Sequence, residues 1–157
     1  MANLPKFEVS PQEGAALMSD AMVKWWLGAL GTMTHVMGSE NAMKAYGPVM
    51  RQIGKQNMEE LNKKLNINSN DAIALGSVVN LWEDMMGIQG RIEEATPSRV
   101  VKVITACPFS KAPHEACQSL ACACQGMGDV VSPGYKFNPT HFMTKGDQYC
   151  RWVVEKK

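Results

Sequence analysis

Near residue 87 the hydrophobic period of this chain changes, and that change limits the fold more than any other feature. Up to Gly87 apolar residues recur at spacings of three and four, which is one face of a helix; beyond it β-branched residues alternate, which is a strand. Ser10-Pro11-Gln12-Glu13 reads as a cap, a proline at the first helical position and a capping-box glutamate. Met18, Met22, Trp25, Ala29, Met33 and Val36 then carry a long helix to Gly38. Ser39 caps a second helix through Met43, Met50, Ile53, Met58 and Leu65, with Gly47-Pro48 expected to kink or split it. Residues 68–71 read as a turn and cap. Ile73, Val78, Val79, Trp82 and Met85 mark a third helix, closed by Gly87.

After the switch, 88–95 and 99–104 read as paired strands around Thr96-Pro97-Ser98. A helix is expected from Pro113 to Gln125, ending at Gly126. Tyr135 to Thr144 and Gln148 to Val154 read as a final strand pair around Lys145-Gly146-Asp147. The expected architecture is one α+β domain over 1–157, with a helical half (10–87) packed on an antiparallel sheet. The Cys-rich part (88–157) runs β-β-α-β-β. No repeat, linker or low-complexity segment divides the chain.

Charge and composition exclude several functions. The formal net charge is +1, so no general field draws in nucleic acid or an anionic membrane. No apolar run approaches the ~20 residues that span a bilayer. The first fourteen residues lack a signal-peptide pattern, and the expected location is cytoplasmic. Twelve Met residues suit a remouldable apolar pocket as well as an ordinary Met-rich core. In the pocket reading Trp25, Met33 and Trp82 line it, with Met22, Trp26 and Met85 beside them. Trp25 and Trp26 are adjacent and cannot both face one core, so one is left for a partner and a homodimer through the first helix is expected.

The five cysteines are Cys107, Cys117, Cys122, Cys124 and Cys150. An odd number confined to one third of the chain argues against a disulfide framework and leaves metal binding, thiol chemistry or burial. Helical geometry puts Cys124 within ~20° of Cys117, with His114 on the same side and Cys122 turned away. Strand alternation puts Cys150 with Trp152 and Val154. Cys107, Cys117, Cys124 and Cys150 are therefore candidate ligands for zinc, or for an iron–sulfur cluster, with His141 a further candidate. No CxxC pair is present. Cys117 with His114 and Glu115 is the candidate catalytic set, since a His and a helix N-terminus both lower a thiol pKa.

Val103-Ile104-Thr105-Ala106-Cys107-Pro108-Phe109, the helix cysteines, and Met143-Thr144-Lys145-Gly146-Asp147-Gln148-Tyr149-Cys150-Arg151-Trp152 together resemble two related families. These are the 4-vinyl reductase-like, hydrocarbon-binding domain and the L-2-amino-thiazoline-4-carboxylic acid hydrolase-like family. The resemblance implies an α/β sandwich with a hydrophobic ligand cavity between helices and sheet. For the first family it also implies a zinc held by a helix Cys, an acidic residue and two hairpin Cys. Here the helix Cys would be Cys117 or Cys124 and the last Cys would be Cys150. Phe142 stands where the other hairpin Cys would be, and 138–143 holds no acid. Cys107 and His141 are the residues that could substitute. The second family implies a ring-opening hydrolysis. Two function classes follow: a domain that binds or senses a small apolar or thio-organic molecule, and a hydrolase of a small cyclic amide- or thiazoline-like substrate using a Cys or a metal-activated water.

Overall fold

The computed structural model describes residues 9–67 and 69–157. The first eight residues, on which part of the signal-peptide reading rests, and Asn68 of the expected turn lie outside these. Helices α1 (Pro11–Met37), α2 (Ser39–Leu65) and α3 (Ala72–Met85) precede strands β1 (Gln89–Thr96) and β2 (Arg99–Ala106). Then come α4 (His114–Val131), β3 (Tyr135–His141), a single 3-10 turn at Met143–Lys145, and β4 (Cys150–Lys156). The strands form one antiparallel sheet in the order β1-β2-β4-β3. The chain is thus α+β, with the helices N-terminal apart from α4, which crosses over from β2 to β3. Among the described residues no helix is long and apolar enough to cross a membrane.

Local chemistry explains the element boundaries. Glu13 N–H donates to Ser10 Oγ at 3.2 Å while Ser10 N–H donates to Glu13 Oε2 at 3.0 Å, so the capping box forms. Asp71 caps α3 by accepting from Ala74 N–H at 2.9 Å. Gly87 closes this stretch with φ +72°, a conformation that favours glycine.

Three expectations are corrected. Gly47-Pro48 does not split α2, which runs on to Leu65. Gly126 does not end α4, which continues to Val131. The reason is packing: a Cβ on Gly126 would lie 2.0 Å from Arg51 O on α2, and one on Gly54 would lie 2.0 Å from Ala123 O on α4. These glycines let two helices cross closely, so neither acts as a terminator. Finally, Phe142 to Thr144 leave the strand. Asp147 Oδ2 accepts from Phe142 N–H at 2.7 Å, and Gly146 at φ +94° donates to Met143 O. The hairpin is curled into a turn, and β4 starts two residues later than expected.

Register decides what faces the helices. Val100, Lys102 and Ile104 pair with Val154, Trp152 and Cys150. All six lie on the face that α3 and α4 cover, and directly paired strand residues share a side. Leu75, Val78, Val79, Met127 and Val131 fill the space between those helices and the sheet. The helix α2 packs on α4, with α1 outside it. Trp26 points inward and meets Phe109 edge-on at 5.9 Å, whereas Trp25 is 71% exposed.

Candidate functional site

An apolar cavity of about 80 Å³ lies where the end of α3, the N-terminal half of α4 and the sheet converge. Glu83 and Met86 close one side; Ile88, Ile104, Cys107 and Phe109 continue the wall. Cys117, Leu120, Ala121 and Cys124 come from α4. Phe137, Pro139, His141, Phe142, Cys150, Arg151 and Trp152 complete it.

Four of the five cysteines therefore line this cavity, with His141 among them. Cys122 faces α2, where a Cβ on Gly47 would meet its Sγ at 3.3 Å. Cys150 Sγ accepts from Met143 N–H at 3.2 Å. One residue on, Thr144 Oγ1 donates to Cys117 Sγ at 3.5 Å and lies 3.0 Å from His114 Nδ1. His114 and Cys117 are thus joined through a hydroxyl. His114 also stands edge-on to Phe142 at 4.7 Å. Glu115 turns away from this pair: its carboxyl is held below the ordinary glutamate value, first by a hydrogen bond with Ser39 at the start of α2.

Electrostatics keep the thiols neutral. Burial pushes Cys107, Cys117 and Cys150 above the ordinary thiol value. It pushes Cys124 up strongly, and the Glu83 charge adds to that rise. Burial also lowers the His114 pKa, with Lys145 adding to the effect. Among the described residues no three His, Cys, Asp or Glu side chains are arranged to hold a metal ion. Zinc or an iron–sulfur cluster at Cys107, Cys117, Cys124 and Cys150 would require these sulfurs to lose their protons and converge to bonding distance.

Helix α1 does not line the cavity. Trp25 points to solvent, Met33 is half-buried on α1, and Trp82 packs against the core cluster. Met22 and Met85 are exposed. From α1, Trp26 reaches Phe109 of the wall from behind, while the last turn of α3 supplies Glu83 and the residue after it, Met86.

Glu83 is the residue that sequence reasoning missed. Its Oε2 accepts from Lys102 Nζ at 2.8 Å and its Oε1 from Trp152 Nε1 at 2.8 Å. Lys102 Nζ also donates to Asn80 Oδ1 at 2.7 Å. Burial raises the Glu83 pKa, opposed by Lys102. The available signal was Lys102 itself, a cation inside the β-branched run Val100–Ile104, at a position whose neighbours two residues away face the core.

Fold and cavity together define a class: an α+β domain with helices on one face of an antiparallel sheet and an apolar chamber between them. Two solved structures share that fold. One is a trafficking protein particle complex subunit 3 from Naegleria fowleri, covalently bound to palmitic acid. It is 12% identical with a TM-score of 0.64, over 89% of this chain and 96% of that one. The other is the phenol-responsive sensory domain of the transcription activator PoxR, solved with phenol. It is also 12% identical, with a TM-score of 0.58 over 83% of this chain and 72% of that one. No family model matches the chain, and no curated protein matches its sequence.

Proposed function

We propose that this chain is a small-molecule binding or sensing domain whose ligand is apolar and occupies the cavity between α4 and the sheet. The carrying observation is the half-open cavity itself: aliphatic, aromatic and thiol groups line most of it, with Glu83, His141 and Arg151 as its charged or polar members. The two solved structures of this fold support the reading, since one carries palmitic acid and the other phenol. At about 80 Å³ the chamber is smaller than the ~150 Å³ apolar cavity known to accept benzene. A ring-sized ligand would therefore extend through the open side of the cavity or displace lining side chains such as Met86 or Phe142, and a Met moves readily. Titration of small cyclic hydrocarbons and alcohols, followed by NMR at the Trp152 indole N–H, tests this. Saturable shifts with a rise in Tm are expected; no shift and no stabilisation across the series overturns it.

A second reading is the hydrolase, favoured by the hydroxyl that joins His114 to Cys117. In it, Cys117 Sγ would attack the ring carbon of a small cyclic amide- or thiazoline-like substrate. Its proton would pass to Thr144 Oγ1 once that hydroxyl has turned from Cys117 Sγ to donate to His114 Nδ1, and from His114 to the leaving nitrogen or sulfur; water would then release the acyl group. Burial of Cys117 above the ordinary thiol value weighs toward binding. Turnover lost in Cys117→Ser and His114→Ala alike would decide for the enzyme.

We further infer a homodimer through α1. Met18, Met22, Trp25 and Val36 form an exposed apolar stripe at spacings of three, four and eleven. A two-fold pair of such stripes is self-complementary.

A further inference from the structure

We infer that Glu83 selects the ligand: the cavity takes a neutral apolar molecule bearing one hydrogen-bond donor, which the Glu83 carboxylate receives. This deepens the binding reading above and rests on it. Among the described residues that line the cavity Glu83 is the one carboxylate, and it is 6% exposed. Lys102, 2% exposed, lies behind it and is not part of the wall. Glu83 is therefore the member of the network that borders the cavity, while its cation does not.

The carboxylate has capacity left. Two oxygens offer about four lone-pair sites, and Lys102 and Trp152 fill one on each. Among the other polar groups of the wall the thiols are weak acceptors and Arg151 only donates. Thr140 gives its hydroxyl proton to Arg151 O, so His141 Nδ1 donates to Thr140 Oγ1 at 3.0 Å, and His141 Nε2 is the competing acceptor, one that the Glu83 variants leave in place. Charge fixes the class further. Lys102 already balances Glu83, so an ammonium ligand would bring an unpaired cation into an apolar chamber, whereas a hydroxyl would not. Nor does stability explain the network, because apolar residues of similar volume commonly match or exceed a buried ion pair.

The test compares cyclopentanol, methylcyclopentane and cyclopentylammonium, matched in size, on the wild-type chain and on the double variant Glu83→Leu/Lys102→Met. An apolar chamber without an acceptor favours the hydrocarbon, because the alcohol loses its water. The wild type is expected to prefer the alcohol, with the ammonium at least about tenfold weaker than it. The alcohol-to-hydrocarbon ratio should fall about tenfold to a hundredfold in the double variant, while methylcyclopentane still binds. A wild type that prefers the hydrocarbon, or an unchanged ratio, overturns the anchor and leaves the cavity reading standing. An ammonium that binds more tightly than the alcohol overturns the neutral class. If the wild type binds none of the three, the cavity reading falls and the anchor with it. Should the double variant fail to fold, the wild-type order still decides, as does the Trp152 indole resonance. Its shift should differ between alcohol and hydrocarbon, since that N–H shares Glu83 with the ligand.

Discussion

Lys102 Nζ stands 2.8 Å from Glu83 Oε2, with both side chains almost fully buried. The contact ties the centre of β2 to the last turn of α3. Breaking it from one side strands a charge. Lys102→Met alone is expected to destabilise the fold by about 3–5 kcal/mol. The double variant Glu83→Leu/Lys102→Met should recover much of that loss, less the Trp152 and Asn80 hydrogen bonds. Chemical denaturation of both variants checks this; equal losses would show that the pair does not act as a unit.

The glycine crossing between α2 and α4 makes an opposite-sign pair of predictions. Alanine is the better helix former by about 1 kcal/mol, yet Gly54→Ala and Gly126→Ala should destabilise by about 1–3 kcal/mol, because a Cβ at either meets backbone. Gly28→Ala meets nothing within 4 Å and should stabilise slightly. Midpoints of urea unfolding decide.

Asp129 sets part of the acid limb. Arg51 donates to both its oxygens, at 2.7 and 2.8 Å, and holds its carboxyl below the ordinary aspartate value. A lowered folded value contributes stability that is present above the unfolded value and lost as pH falls through the folded one. Asp129→Asn should thus lower stability at neutral pH, by about 1 kcal/mol given the half-exposed Arg51, and flatten the acid limb. Glu83 acts in the other direction: its raised value contributes stability below the ordinary glutamate value that is lost as pH rises. Stability of Asp129→Asn and of Glu83→Leu/Lys102→Met, measured from pH 3 to 8, should diverge accordingly.

The thiols should react slowly in the native state. All five are raised by burial, so labelling by a disulfide reagent at neutral pH should be far slower than in denaturant. A cavity ligand should slow Cys107, Cys117 and Cys150 further and leave Cys122 unaffected. Elemental analysis of protein purified without air should find zinc and iron below one per chain. Stoichiometric zinc that disappears in Cys150→Ser would establish the metal reading.

Met22→Glu with Trp25→Ala should convert the expected dimer to a monomer by light scattering without loss of helicity, since both side chains are exposed in the single chain. A wild-type monomer at high concentration would remove the second copy from α1.

Local spacing was enough to make the element plan legible. The change of period at Gly87, the Ser10–Glu13 capping box and the Asp71 cap depend on neighbours a few residues apart, and such contacts are written in the sequence itself. The seven-residue interval of Cys117 and Cys124 likewise placed both on one face of α4, and alternation placed Cys150 with Trp152. What only the tertiary structure decided is which distant groups meet. Gly126 reads locally as a helix stop, and becomes a contact point only once α2 lies across it. Glu83 reads locally as a solvated helix residue beside Asp84. A charge gives the same local signal whether water or Lys102 neutralises it, and the strand register that sets Lys102 opposite Trp152, beneath Glu83, comes from long-range pairing. For the same reason the cavity wall came from α3, α4 and the sheet and not from the Met- and Trp-rich α1: composition marks side chains that can line a chamber, while packing order determines which of them reach it.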